Sequence, residues 1–222
     1  MYIIFSSLEK KRDEQILLTQ QVYTRLSGLI NLCAFYKDTQ EEFGGYLFGY
    51  YEKGKILFYD HSTKVENIAN KPGAWKPSKE MVDEADEKMN MDGFNCFANV
   101  HTHPSITASG LAFSERDIKF YKDEKAIYEY ALKKGITKEP IRTFGCMMSL
   151  GPRQYGDDAI AFVSWENGEL FYYPNISVII DDVVVPLKEA PVLLYLDDKV
   201  KPHFVRDNSC NKTITIKRNM MF

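Results

Sequence analysis

This chain lacks a marked excess of either charge: 28 Lys and Arg stand against 31 Asp and Glu, for a formal charge of −3 in 222 residues. The two signs are mixed along most of its length, which excludes an electrostatic grip on nucleic acid or an anionic membrane surface. Long hydrophobic runs are absent too. None approaches the roughly 20 residues that span a bilayer, so no transmembrane helix is expected. The apolar start, Met1 to Leu8, lacks a basic leading region and runs straight into Glu9-Lys10-Lys11-Arg12-Asp13-Glu14. It is too short for a signal core, so a cytoplasmic location is expected. The four cysteines, Cys33, Cys96, Cys146 and Cys210, form no Cys-x-x-Cys pair; this excludes a zinc knuckle or a dithiol redox motif and leaves free, buried thiols. Asn175-Ile176-Ser177 and Asn211-Lys212-Thr213 match the glycosylation pattern but need a secretory route, and they are discounted. There is no internal repeat and no low-complexity segment.

Hydrophobic residues make up 45% of the chain, enough for a core without disulfides. Spacing near 3.6 predicts an amphipathic helix over 13–33, carried by Ile16, Leu17, Val22, Tyr23, Leu26, Leu29, Ile30 and Cys33. A hairpin follows, Gly45 to Tyr51 and Lys55 to Tyr59 around Glu52-Lys53-Gly54. Ser78 is an N-cap for a helix with Met81, Val82, Ala85 and Met89 on one face. Phe94 to Val100 reads as a strand, and Ser114 to Lys134 as a helix stopped at Gly135, with Ile118, Tyr121, Ile127, Tyr130, Ala131 and Leu132 near helical spacing. Strands are predicted at 142–150, 159–165 and 169–173, the last two joined by a turn at Asn167-Gly168. Short runs at 176–180, 182–187, 192–196 and 212–217 extend the β-rich end. The organisation is a domain over 1–174 and a β-rich extension over 175–222, divided by a weak boundary near Pro174.

Histidine is scarce, four residues in all, yet His101 and His103 stand one residue apart where the chain leaves a strand. Positions i and i+2 of a strand share a face, so both imidazoles can reach one metal ion. A catalytic zinc takes three protein ligands and leaves a fourth position for water, whose pKa it lowers to about 7. Asp117 is the natural third ligand, because Pro104 turns the chain and the helix starting at Ser114 returns a first-turn carboxylate. Hydrolysis also needs a base. Glu42 is the best candidate, an acid at the mouth of a strand beside glycines that allow close backbone approach. Ser114 can donate to the oxyanion of a tetrahedral intermediate.

The pattern Glu42, three residues before Gly45 in Gly45-Tyr46-Leu47-Phe48-Gly49, then His101-Thr102-His103-Pro104 and Ser114-Glu115-Arg116-Asp117, resembles the JAMM family of MPN-domain zinc metalloproteases, which includes deubiquitinases. The likeness covers about residues 13 to 173. It implies an α+β fold, a mixed sheet flanked by helices with a cytidine-deaminase-like architecture. It also implies zinc on His101, His103 and Asp117, activation of water by Glu42, and Ser114 steadying the intermediate. The implied substrate is the bond after the C-terminal tail of ubiquitin or a ubiquitin-like protein. Nine residues, Ser105 to Phe113, separate Pro104 from Ser114, where the family usually has fewer, which lengthens a loop at the rim of the site.

Each piece has a plainer meaning by itself. Ser-x-x-Asp is close to a helix capping box, a lone Glu before a strand is usually a solvated charge, and His-x-His can be an exposed pair. Their order and spacing together favour a metal site. His61 and His203 read as a strand end and a loop, and Trp75 with the 67–76 loop can rim a groove. The competing functions are a non-catalytic MPN-type scaffold and a zinc hydrolase of small molecules or nucleobases. The second lacks the His-x-Glu and Pro-Cys-x-x-Cys ligands of zinc deaminases.

Overall fold

A computed structural model describes residues 2–4, 10–35, 41–65, 75–103, 112–137, 140–149 and 160–190. The architecture is α+β. A nine-stranded mixed sheet is built from β2 (Gln15–Thr19), β3 (Gly44–Glu52), β4 (Lys55–His61), β5 (Cys96–His103), β7 (Arg142–Ser149), β8 (Ile160–Glu166), β9 (Glu169–Tyr173), β10 (Ile176–Ile180) and β11 (Val183–Pro186). Its strand order is β11-β10-β2-β4-β3-β5-β7-β8-β9. A separate pair joins β1 (Tyr2–Ile4) to β6 (Ala112–Ser114).

Helix α1 (Gln20–Phe35) covers one face of the sheet, and α2 (Lys79–Met91) and α3 (Glu115–Lys133) cover the other. Alternation along β5 shows why: Cys96, Ala98 and Val100 enter the α1 core, while Phe97 packs under α2. On α1, Val22, Tyr23, Leu26 and Leu29 are at most 3% exposed; each such side chain contributes about 1.5–3 kcal/mol on burial.

The first predicted helix, 13–33, begins late: its first third is not helical. Residues 15–19 form β2, because the chain pairs there in parallel with both β4 and β10; burial then alternates, with Ile16 and Leu18 completely buried, and the helix holds only from Gln20 on. The hairpin is present, with Lys53 and Gly54 both at positive φ. The Ser78 helix is also present, its cap accepting from the Met81 N–H, although Val82 is 38% exposed rather than on the buried face. Helix α3 buries Ile118 and Tyr121 but leaves Ile127 and Tyr130 more than half exposed, since its inward stripe continues through Tyr128, in ring contact with Phe97 at 5.6 Å, and those two residues fall outside that stripe. Residues 176–186 add two strands to the same sheet through β10. The strands expected at 192–196 and 212–217 lie outside the described residues, as do Pro104, most of the 105–113 loop, residues 67–74, His203 and Cys210. Cys96 and Cys146 are free and buried; burial raises both thiols, Cys96 to about 12, so they are unreactive packing residues.

Candidate metal centre

Three elements meet at the site. Strand β5 delivers His101 and His103, the lead-in to β3 delivers Glu42, and the first turn of α3 delivers Asp117. Antiparallel pairing of Gly44 with His101 and Gly45 with Val100 fixes the register, so residue 42 extends opposite residue 103. Thr102 clamps that extension, its Oγ1 accepting from the Phe43 N–H at 2.9 Å while its own N–H donates to the Phe43 carbonyl at 2.8 Å.

His101 and His103 turn Nε2 toward each other at 3.1 Å. Asp117 Oδ1 lies 3.4 Å from the first and Oδ2 3.7 Å from the second. Tetrahedral zinc, with bonds of about 2.0–2.1 Å, needs ligand atoms about 3.3 Å apart, and these separations bracket that value. Glu42 is farther out, Oε1 at 4.0 Å from His103 Nε2. Glu42, His101 and His103 also form a buried group whose ligand atoms all lie within 4.8 Å of one another and which could hold a metal ion. Two nitrogens and carboxylate oxygens suit zinc, and two lone-pair nitrogens at contact distance repel unless a proton or a cation sits between them.

Electrostatics separate the two carboxylates. Burial raises Glu42 to about 7, with Asp117 adding to the shift against His101 and Arg116. Burial alone would raise Asp117 as well, but His101, His103 and a Ser114 hydrogen bond outweigh it and hold Asp117 well below the usual carboxylate range. Burial lowers His101, and the Asp117 hydrogen bond and charge, with Glu42, more than reverse this, so its affinity for a proton is raised. One carboxylate is therefore fixed as an anion and the other exchanges a proton near neutrality.

Ser114 caps α3. Its Oγ accepts from the Asp117 N–H at 3.2 Å and donates to Asp117 Oδ2 at 2.7 Å, and its backbone N–H donates to the same oxygen at 2.7 Å. The capping box and the site are thus the same atoms, and the cap aims the carboxylate. Trp75 lies parallel to His101, ring centroids 6.1 Å apart and planes within 5°. Gly44 makes room for it, since a Cβ there would stand 2.4 Å from the indole. His61 is apart from this group, its Nδ1 against the Ser62 carbonyl at 2.8 Å and its proton affinity lowered by burial.

Five candidate residues therefore converge. Sequence reasoning missed Thr102, Asn99, Tyr121 and Glu124 as neighbours of the site. The signal was present in part: Asn99 stands two before His101 on the same strand face, and Tyr121 and Glu124 follow Asp117 at four and seven. No helix among the described residues is long and apolar enough to cross a membrane.

Comparison with known proteins adds no function. No protein-family model matches the chain, and no curated protein matches it. Among solved structures, the chain is similar to the solution structure of protein DSY2949 from Desulfitobacterium hafniense, at 17% identity and a TM-score of 0.44, over 74% of this chain and 92% of that one.

Proposed function

We propose that this chain is a cytoplasmic, zinc-dependent metallo-isopeptidase or peptidase of the JAMM type. Its substrate is the bond after the C-terminal tail of ubiquitin or a ubiquitin-like protein, and its fold is of the MPN, cytidine-deaminase-like kind. The observation that carries the proposal is the meeting of His101, His103 and Asp117 at ligand spacing, with a buried Glu42 beside them. His101 Nε2, His103 Nε2 and an Asp117 oxygen would hold the ion, and zinc bound there supplies Lewis-acid polarisation of the scissile carbonyl and acidifies water.

The chain's own groups do the rest. Glu42, poised at about 7, takes a proton from the attacking water and delivers it to the departing amine. Asp117 stays ionised. Ser114, whose hydroxyl donates to Asp117 Oδ2, is the donor at the start of α3 that can turn to a developing oxyanion. Trp75, parallel to His101 and in edge contact with Phe120 at 6.3 Å, gives the site one aromatic flank.

The test is incubation of the zinc-loaded protein with a panel of ubiquitin-like fusions. Glu42→Gln is expected to keep zinc and lose cleavage, and His103→Ala to lose both. Normal turnover by Glu42→Gln overturns the assignment of the base. An ordered wild-type protein that takes up no zinc favours the scaffold alternative.

A further inference from the structure

The seam between β5 and α3 holds more polar groups than a metal site needs. Asn99 and His101 are two apart on β5 and share a face. Asp117, Tyr121 and Glu124 follow one another at four and three along α3 and share a stripe. Six side-chain polar atoms among the described residues are sealed from solvent without a hydrogen-bond partner, and four of them lie in this seam: His101 Nδ1, Tyr121 Oη, Asn99 Oδ1 and Glu124 Oε2. Buried polar atoms are rarely left so, and a cluster of them calls for an explanation.

Their geometry and chemistry are complementary. Tyr121 is pressed onto Gly145, where a Cβ would come within 2.2 Å of Cζ, the carbon that bears the hydroxyl. Gly145 is the register partner of Asn99 on the neighbouring strand, which puts the phenol oxygen beside the Asn99 side chain. Asn99 Nδ2 donates to Glu124 Oε1 at 3.3 Å, and the Tyr121 ring lies against the His101 ring, centroids 6.5 Å apart. The Asn99 oxygen accepts twice, the tyrosine hydroxyl both donates and accepts, and a neutral Glu124 donates. His101 has an N–H at Nδ1 whenever Nε2 is turned to a metal. A ligating histidine almost always gives that N–H to a carboxylate, a carbonyl or a water, and no protein atom described here receives it.

We propose that Glu124, Asn99 and Tyr121 form a positioning network that reaches His101 Nδ1 through ordered water and holds the imidazole with Nε2 toward the metal. The inference rests on the metal-centre reading above and specifies what supports that centre from behind. Chelator competition with zinc on the full chain tests it, with the visible spectrum of the cobalt-loaded protein as a second readout. Tyr121→Phe removes only the hydroxyl; it is expected to weaken zinc binding about 10- to 100-fold and to shift the cobalt spectrum, while the metal-free variant melts with the wild type. Asn99→Leu and Glu124→Leu are expected to act likewise, and Glu124→Gln, which keeps a donor and an acceptor, to restore the affinity lost in Glu124→Leu. Unchanged affinity and spectrum in Tyr121→Phe overturn the network and leave the metal centre standing. A wild-type protein that binds neither zinc nor cobalt overturns the metal centre, and the network with it.

Discussion

Glu124→Gln isolates the protonation of one buried carboxyl. Burial moves Glu124 from 4.5 to about 8, with Oε2 sealed from solvent and Oε1 accepting from Asn99. A neutral carboxylic acid satisfies this place because its O–H can serve the Asn99 oxygen; an anion cannot. The folded value lies above the unfolded one, so the contribution is fully present below the unfolded value and is lost as pH rises toward the folded one. At about 1.4 kcal/mol per unit, the difference sets a ceiling of about 5 kcal/mol. The stem of Glu124 is only half-buried, and solvent screening reduces the expected loss to about 2–3 kcal/mol. Urea midpoints of the zinc-free protein measured from about pH 5 to about pH 9 read it directly. The wild type should lose stability relative to Glu124→Gln across that interval, and the two should converge at the acid end. Parallel curves for the two proteins would refute the argument, because a glutamine cannot ionise and a solvated glutamate would not differ from it.

Two further outcomes follow from the site. Thr102→Val leaves the Phe43 N–H without its acceptor and should cost about 1–3 kcal/mol in denaturant titrations. The same change should loosen Glu42 and lower kcat about tenfold with zinc affinity unchanged, so a matching fall in affinity would refute a role confined to Glu42. In a Trp165→Phe background, cobalt should quench most of the Trp75 fluorescence because the indole lies against His101. Adding His103→Ala should abolish the quenching; bright emission at saturating cobalt would place the ion elsewhere.

Much of the site was legible because its signals are local. His101 and His103 share a strand face by period alone, and Ser114 with Asp117 announces a helix start whatever else it does. Glu42 was legible only through its place in the whole pattern, since a lone acid before a strand carries no chemistry of its own. What the sequence could not supply is pairing. Nothing local distinguishes the strand at Gln15 to Thr19 from the first turn of the helix that follows; parallel partners on both sides decide it. Tyr2 to Ile4 gains strand identity only from Ala112 to Ser114, over a hundred residues away. Glu124 looked like one more charge on an amphipathic helix, and only the docking of α3 over Asn99 makes it a buried acid.

The register of β3 against β5 has a consequence for how this chain can change. Successive strand residues face opposite sides, so adding or deleting one residue between Glu42 and Leu47 would send Glu42 to the α1 side of the sheet while both histidines stayed behind. A two-residue change would restore the side but carry the acid about 7 Å along the strand, beyond reach of His103. The bulge between Phe48 and Gly49 on the β4 side lies past this stretch and absorbs irregularity there. Length variation is thus tolerable toward the Lys53-Gly54 turn and ruinous at the Glu42 end, and an insertion scan along residues 42–54 would trace that gradient.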